Sequence, residues 1–186
     1  MDFVGGRLAL QANLRGLGRS AACLPDERGG VVLPPGVSGS ISHKRRLAIA
    51  LTARANHGGL GVDLEDLLPQ RDGIAERVLL PEELEAVRAL REDRQWVATV
   101  LRFSFKEAIY KALNPLVQRY IGFEEALVDP DTDQTARIEL RLAKGEGPFQ
   151  LEGRYLWLGE RVVTMVRVRQ GHGSSPSSTA VDEASA

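Results

Sequence analysis

"GVDLED", Gly61–Asp66, alternates apolar and acidic side chains, the period-two pattern of a strand with two unlike faces. Val62 and Leu64 point one way, Asp63 and Glu65 the other. Neighbouring carboxylates repel unless a proton or a cation stands between them. An oxygen-only pair suits Mg²⁺, which is usually held by one or two carboxylates together with substrate phosphates. The plain alternative is a half-buried strand with one wet face. The apolar flanks and the shortness of the run argue instead for a strand end near a core.

Some forty residues downstream (103 against 63), "FSFKEAIYKAL" (Phe103–Leu113) closes the strongest helical pattern of the chain. At about 100° per residue, Val97, Val100, Leu101, Ser104, Phe105, Ala108 and Ala112 form one apolar arc. Lys106 falls on the opposite side. Glu107 sits at the edge of the arc, and Lys111, one turn on, falls inside it. A solvated i,i+4 Glu–Lys pair contributes only about 0.2–0.5 kcal/mol and should not intrude on a buried stripe. A lysine at the core margin needs an anion, which Glu107 or a substrate phosphate can supply. The helix is expected to stop before Pro115.

Working outward, "GGRLALQANLRGLG" reads as an amphipathic helix and "PDERGGVVLPPGVSG" as a glycine- and proline-rich loop. "SISHKRRLAIALTA" ends in an apolar strand, with Ser42 and His43 where the loop enters it, a place where hydroxyl, imidazole and backbone N–H can meet phosphate. Residues 73–93 give two helical pieces broken at Pro81, a residue suited to the first helical position. "TARIELRLA", "PFQLEGRYLWLG" and "RVVTMVRVRQ" are strand candidates. The expected architecture is α+β in two lobes: an N-terminal lobe over 1–57, a C-terminal lobe over 58–170 and a disordered tail over 171–186.

The composition narrows the function classes. A chain of 186 residues, 43% hydrophobic and 26% charged, is long enough for one domain or two small lobes with a core. Its net charge of −1 provides no basic field for nucleic acid and no polybasic tail for a membrane surface. One cysteine, Cys23, excludes an internal disulfide framework and a multi-cysteine zinc site. No run approaches the roughly 20 apolar residues of a membrane span, and the N-terminus lacks the cationic start of a secretory signal. A reduced, cytoplasmic setting is expected. Only four lysines occur, and two of them, Lys106 and Lys111, stand in the 103–113 stretch.

Together these stretches resemble the 4′-phosphopantetheinyl transferases of the two-lobed bacterial kind. The family pattern of G-[VI]-D-x-E, then [WF]-S-x-K-E-x-x-x-K, preceded by Ser-x-Ser-His, is met by Gly61–Glu65, Phe103–Lys111 and Ser40–His43. "NPLVQRYIGFEEALV" is similar to the siderophore-synthase subgroup. The resemblance implies two similar small lobes related by a pseudo-two-fold axis, an active site at their seam and a shortened N-terminal lobe. It implies that Asp63, Glu65 and Glu107 hold Mg²⁺ against the coenzyme A diphosphate, and that Glu107 also takes the proton of a carrier-protein serine. Lys111 and Lys106 then match phosphate-binding lysines, with Lys111 also catalytic. Ser42 and His43 match phosphate-contacting positions, and Arg7 and Arg28 resemble residues that grip the 3′-phosphate. The implied partners are coenzyme A and an acyl or peptidyl carrier protein, acted on by a monomer.

Two other readings compete. A nuclease of the D…[DE]-x-K type needs a lysine two residues after its second acid, but Leu67 and Ile109 hold those positions. A non-catalytic module that binds coenzyme A or a carrier protein would keep the phosphate contacts without transfer.

Overall fold

The computed structural model describes residues 2–25, 30–54 and 58–171. Arg28, His57 and the tail from 172 onward lie outside the described residues. Helix α1 (Asp2–Gly16) precedes a hairpin of β1 (Val37–Lys44) and β2 (Leu47–Arg54). After β3 (Gly59–Asp66) come α2 (Ile74–Val78), α3 (Pro81–Arg88) and the long α4 (Glu92–Val117). Strands β4 (Ala126–Pro130), β5 (Thr135–Leu140), β6 (Phe149–Trp157) and β7 (Arg161–Gln170) complete the described chain. The fold is α+β, and each lobe lays a helix across an antiparallel sheet. Among the described residues no helix is long and apolar enough to cross a membrane.

The sheets are separate: β1–β2, and a five-stranded antiparallel sheet in the order β3-β7-β6-β5-β4. Period-two patterning sorts their faces. On the hairpin, Ile41 and Ala50 pack with Leu10 and Leu14 of α1, while Leu47, Ile49 and Leu51 pack with Val62, Leu64 and Val163 of the larger sheet. The opposite face of that sheet carries Val162, Val166 and Val168, which meet Phe105, Ala108 and Ala112 of α4 in the main core. The result is a stack of helix, hairpin, sheet and helix.

Asp63 pairs with Thr164 and Gly61 with Val166 in the β3–β7 register, so Gly59, Gly61, Asp63 and Glu65 all face α4. The glycines are there for close approach. A Cβ at Gly61 would stand 1.8 Å from the Ala108 carbonyl oxygen, and one at Gly59 2.0 Å from that of Ala112.

Two sequence expectations change, and one strand was not anticipated. Helix α4 runs through Pro115 to Val117 and closes on Gln118, whose N–H donates to Asn114 O. Proline forfeits one N–H bond and crowds the previous turn, but here it stands only two residues from the helix end. Ser42 and His43 lie inside β1 rather than at its entrance, because Val37–Lys44 pairs along its length with β2. The "ALVDP" segment is strand β4, hidden in sequence behind a charged run.

Candidate active site

Strand β3 is the edge of its sheet, and β1 approaches it without a hydrogen-bonded ladder. Side chains do the joining. The Val62 N–H donates to Ser40 Oγ at 3.1 Å, and the Val62 carbonyl accepts from Lys111 Nζ at 3.1 Å. Ser40 and Ser42 alternate with Ile41 and His43 along β1, so the serines share one face while His43 is exposed on the other.

Asp63 is the hub. It is only 4% exposed, and both carboxylate oxygens are engaged. Oδ1 accepts from Ser42 Oγ at 3.0 Å and from Lys111 Nζ at 2.7 Å. Oδ2 accepts from Ser104 Oγ at 3.0 Å. Thr164 Oγ1 lies 2.8 Å from Ser104 Oγ and 2.9 Å from the Ser104 carbonyl, to which it can donate. Ser104 and Thr164 are both fully buried, so this relay fixes the Oδ2 side of the carboxylate out of reach of water.

Glu65 pairs with Lys44. Burial pushes its carboxyl above the usual glutamate range, the Lys44 hydrogen bond works against this, and the charge of Asp63 adds to it. Glu107 is half-buried. Burial is again the main cause pushing it up, followed by repulsion from Asp63; Lys111 offsets part, and Glu65 adds more. The three carboxylates therefore sit within electrostatic reach of one another. Among the described residues, however, no three His, Cys, Asp or Glu side chains form a ready metal-holding group. The cage that the sequence suggested is not preformed: ammonium groups stand on Asp63 and Glu65.

Two cavities flank the hub. A groove of about 840 Å³ between the lobes is lined by Ser40, Ile41, Leu60, Tyr110, Lys111 and Asn114, among others. A smaller cavity of about 70 Å³ opens beside Lys44, Glu65, Arg71, Trp96 and Phe103.

The structure brings together Ser42, Asp63 and Lys111, with Glu65 and Glu107 close by. It sets Lys106 apart. Its side chain and that of Glu83 are each 1% exposed, with Nζ 2.7 Å from Glu83 Oε2, and it also donates to the Phe123 carbonyl at 2.8 Å. Glu83 in turn accepts from the Val128 N–H at 2.7 Å. A phosphate cannot reach this lysine, and a buried pair of this kind loses stability when either partner goes. The face of α4 opposite the arc is covered by α3 and β4, so Lys106 is an internal strut. Arg7 belongs to α1, where its Nε donates to the Cys23 carbonyl at 2.9 Å.

Sequence reasoning missed Ser40, Lys44 and Thr164 as members of the site. Thr164 had a signal: it is the one polar residue among inward-facing Val162, Val166 and Val168.

Comparison with known proteins identifies the family of the chain. A family described as the 4′-phosphopantetheinyl transferase superfamily matches residues 59–166, and one described as the 4′-phosphopantetheinyl transferase N-terminal domain matches residues 1–53. The chain is 35% identical over 187 residues to the 4′-phosphopantetheinyl transferase Svp of Streptomyces mobaraensis, covering 95% of this chain and 75% of that protein. It is 36% identical over 158 residues to Npt of Nocardia iowensis, covering 81% and 66%. Enterobactin synthase component D of Salmonella typhi is 30% identical over 172 residues, covering 89% and 70%. The chain thus spans 66% to 75% of the length of these relatives. A holo-(acyl-carrier-protein) synthase of Bacillus anthracis, solved in complex with CoA (3′,5′-ADP), aligns with a TM-score of 0.49 at 22% identity over 61% of this chain and 96% of that one.

Proposed function

Because this chain belongs to the 4′-phosphopantetheinyl transferase superfamily, we propose that it moves the 4′-phosphopantetheine group of coenzyme A to a serine of an apo acyl or peptidyl carrier protein. The released product is 3′,5′-ADP. The observation that carries this reading is the Ser42–Asp63–Lys111 cluster, whose lysine opens onto the groove between the lobes.

The residues fit a hard divalent cation. All candidate donors are carboxylate oxygens, and the charge of Asp63 repels Glu65 and Glu107, a repulsion that a divalent cation between them would relieve. A complete protein cage is not required, because Mg²⁺ keeps waters and shares substrate phosphates with one or two carboxylates. Asp63, Glu65 and Glu107 would hold it, and when bound it supplies countercharge to the diphosphate.

The chain's own groups carry the rest. Lys111 brings a positive charge to the phosphate end of the groove. Ser42 and the Ser104–Thr164 relay keep Asp63 in one orientation. Glu107, with its raised carboxyl, accepts at Oε the proton that the carrier serine loses. The serine oxygen then bonds to the β-phosphorus, the bond from that phosphorus to the bridging oxygen breaks, and its electron pair leaves with 3′,5′-ADP. Positioning and charge neutralisation dominate such a transfer. His43, exposed on the outer face of β1, is kept as a phosphate contact, and Arg7 and Arg28 as the residues for the 3′-phosphate of the coenzyme. A carrier protein presents its acidic surface to the basic and apolar rim formed by Arg45, Leu68 and Arg71 beside Glu65.

The test is incubation with coenzyme A, Mg²⁺ and an apo carrier protein, read by mass spectrometry. A gain of one phosphopantetheine on the carrier is expected. Coenzyme binding without that gain would mean a binding module only.

A pH prediction follows from the raised carboxyls. Glu65 and Glu107 hold protons more tightly folded than unfolded, so between the ordinary glutamate value of about 4.3 and neutrality the folded state binds more protons. The contribution of these two groups to the stability of the metal-free protein therefore rises as pH falls through that window, while Glu125 and Glu146, both held down at about 2 by Arg119, lose theirs mainly below it. Thermal melts in chelator from neutral to mildly acid pH should show an increasing Tm, and a Tm that falls throughout the window contradicts the assignment.

A further inference from the structure

The hydrogen bonds of Lys111 have a feature that the transfer reading does not use. An ammonium carries three donors, and Nζ already has three partners: Asp63 Oδ1 at 2.7 Å, the Val62 carbonyl at 3.1 Å and Ser42 Oγ at 3.3 Å. A phosphate oxygen can gain a hydrogen bond from this lysine only if one of these is given up. Asp63 Oδ1 is also the oxygen that a divalent cation would take, since Oδ2 points to the sealed Ser104 side. Two positive centres cannot share that oxygen at contact distance without strong repulsion. The side chain of Lys111 is 27% exposed while that of Asp63 is 5% exposed, so the lysine is the partner free to move, and the groove it lines is the space it can move into.

We infer that Lys111 is the resident counter-ion of Asp63, which an incoming divalent cation displaces into the groove, where the freed ammonium meets a phosphate. The inference rests on the reading that a cation binds at Asp63. It makes the two ligands cooperative beyond direct chelation, because the cation releases a donor that the phosphate then uses. Lys44 on Glu65 is a second ammonium of the same type.

The test measures Mn²⁺ binding alone, by calorimetry, in wild-type protein and in Lys111→Met, with Lys111→Gln replacing it should the methionine variant fail to melt cooperatively. Arg71→Met is the control for simple loss of a nearby positive charge, since Arg71 acts on Glu65 through space without a bond. Removing the competitor should tighten Mn²⁺ binding on the order of tenfold, the scale of one partly buried ion pair. Arg71→Met should tighten it no more than about twofold, as expected of a screened charge. In the same Lys111 variant, binding of 3′,5′-ADP should weaken in the presence of Mn²⁺ and change little in its absence. Mn²⁺ affinity in Lys111→Met equal to or below that of Arg71→Met overturns the inference and leaves the cation site standing. No Mn²⁺ binding to any form overturns both.

Discussion

Gly61→Ala should lower the folding stability by about 3 kcal/mol or more, the upper range for overpacking a filled interior. The added Cβ would lie 1.8 Å from the Ala108 carbonyl oxygen, 2.8 Å from its carbon and 2.9 Å from the Ala112 nitrogen. Each of these atoms is helix backbone, so no side chain can rotate aside. Strand β3 and helix α4 must separate, and they carry the two halves of the site: Asp63 lies two residues beyond Gly61, while Ala108 sits between Glu107 and Lys111. Activity should fall with stability even in molecules that stay folded. Gly16→Ala is the matched control, since nothing lies within 4 Å of that position and a helix-end glycine contributes less than about 1 kcal/mol. Denaturant midpoints decide: a Gly61 variant as stable as the Gly16 variant would show that the close approach of strand and helix is not a constraint.

Glu107→Gln should remove transfer by a factor on the order of 10³ while leaving the fold intact. The amide keeps the shape of the side chain but can neither take a proton nor balance a cation. The metal-free variant should melt at or above the wild-type temperature, because the substitution deletes a charge that burial and Asp63 both disfavour. A residue strained by its neighbours and retained regardless trades stability for activity. The paired result separates a functional carboxylate from a structural one, since loss of activity together with a lowered Tm would make Glu107 a packing residue. Asp63→Asn serves as the companion. It keeps an acceptor for only one of Ser42 and Ser104, turns the other contact into an amide donor and leaves Lys111 without its anion, and transfer should again be lost.

Much of this site could be read from sequence wherever a pattern reflects local geometry. The alternation in Gly61–Asp66 separates the carboxylates from the core valine and leucine, and the strand obeys it. The apolar arc on α4 places Lys111 at the buried margin, where it meets Asp63. What could not be read depends on partners distant in the chain. Val37–Lys44 is rich in serine and glycine, poor strand formers by propensity, and becomes a strand through pairing with β2. Lys106 points away from the arc, which suggests solvent. Helix α3 and the Phe123 turn close over that side, and Glu83 arrives from 23 positions earlier in the chain (106 against 83). Thr164 enters by register, opposite Asp63 on the neighbouring strand.

The seam between β1 and β3 has a consequence for how such a molecule can change. Main-chain ladders bind strands collectively, whatever their side chains. Here the halves are riveted by individual hydroxyls, Ser40 on the Val62 amide and Ser42 on Asp63, over an apolar interface. A single substitution at either serine can therefore reset the stance of one half against the other without unpicking a sheet. The width of the cleft is accordingly open to gradual adjustment by point mutation.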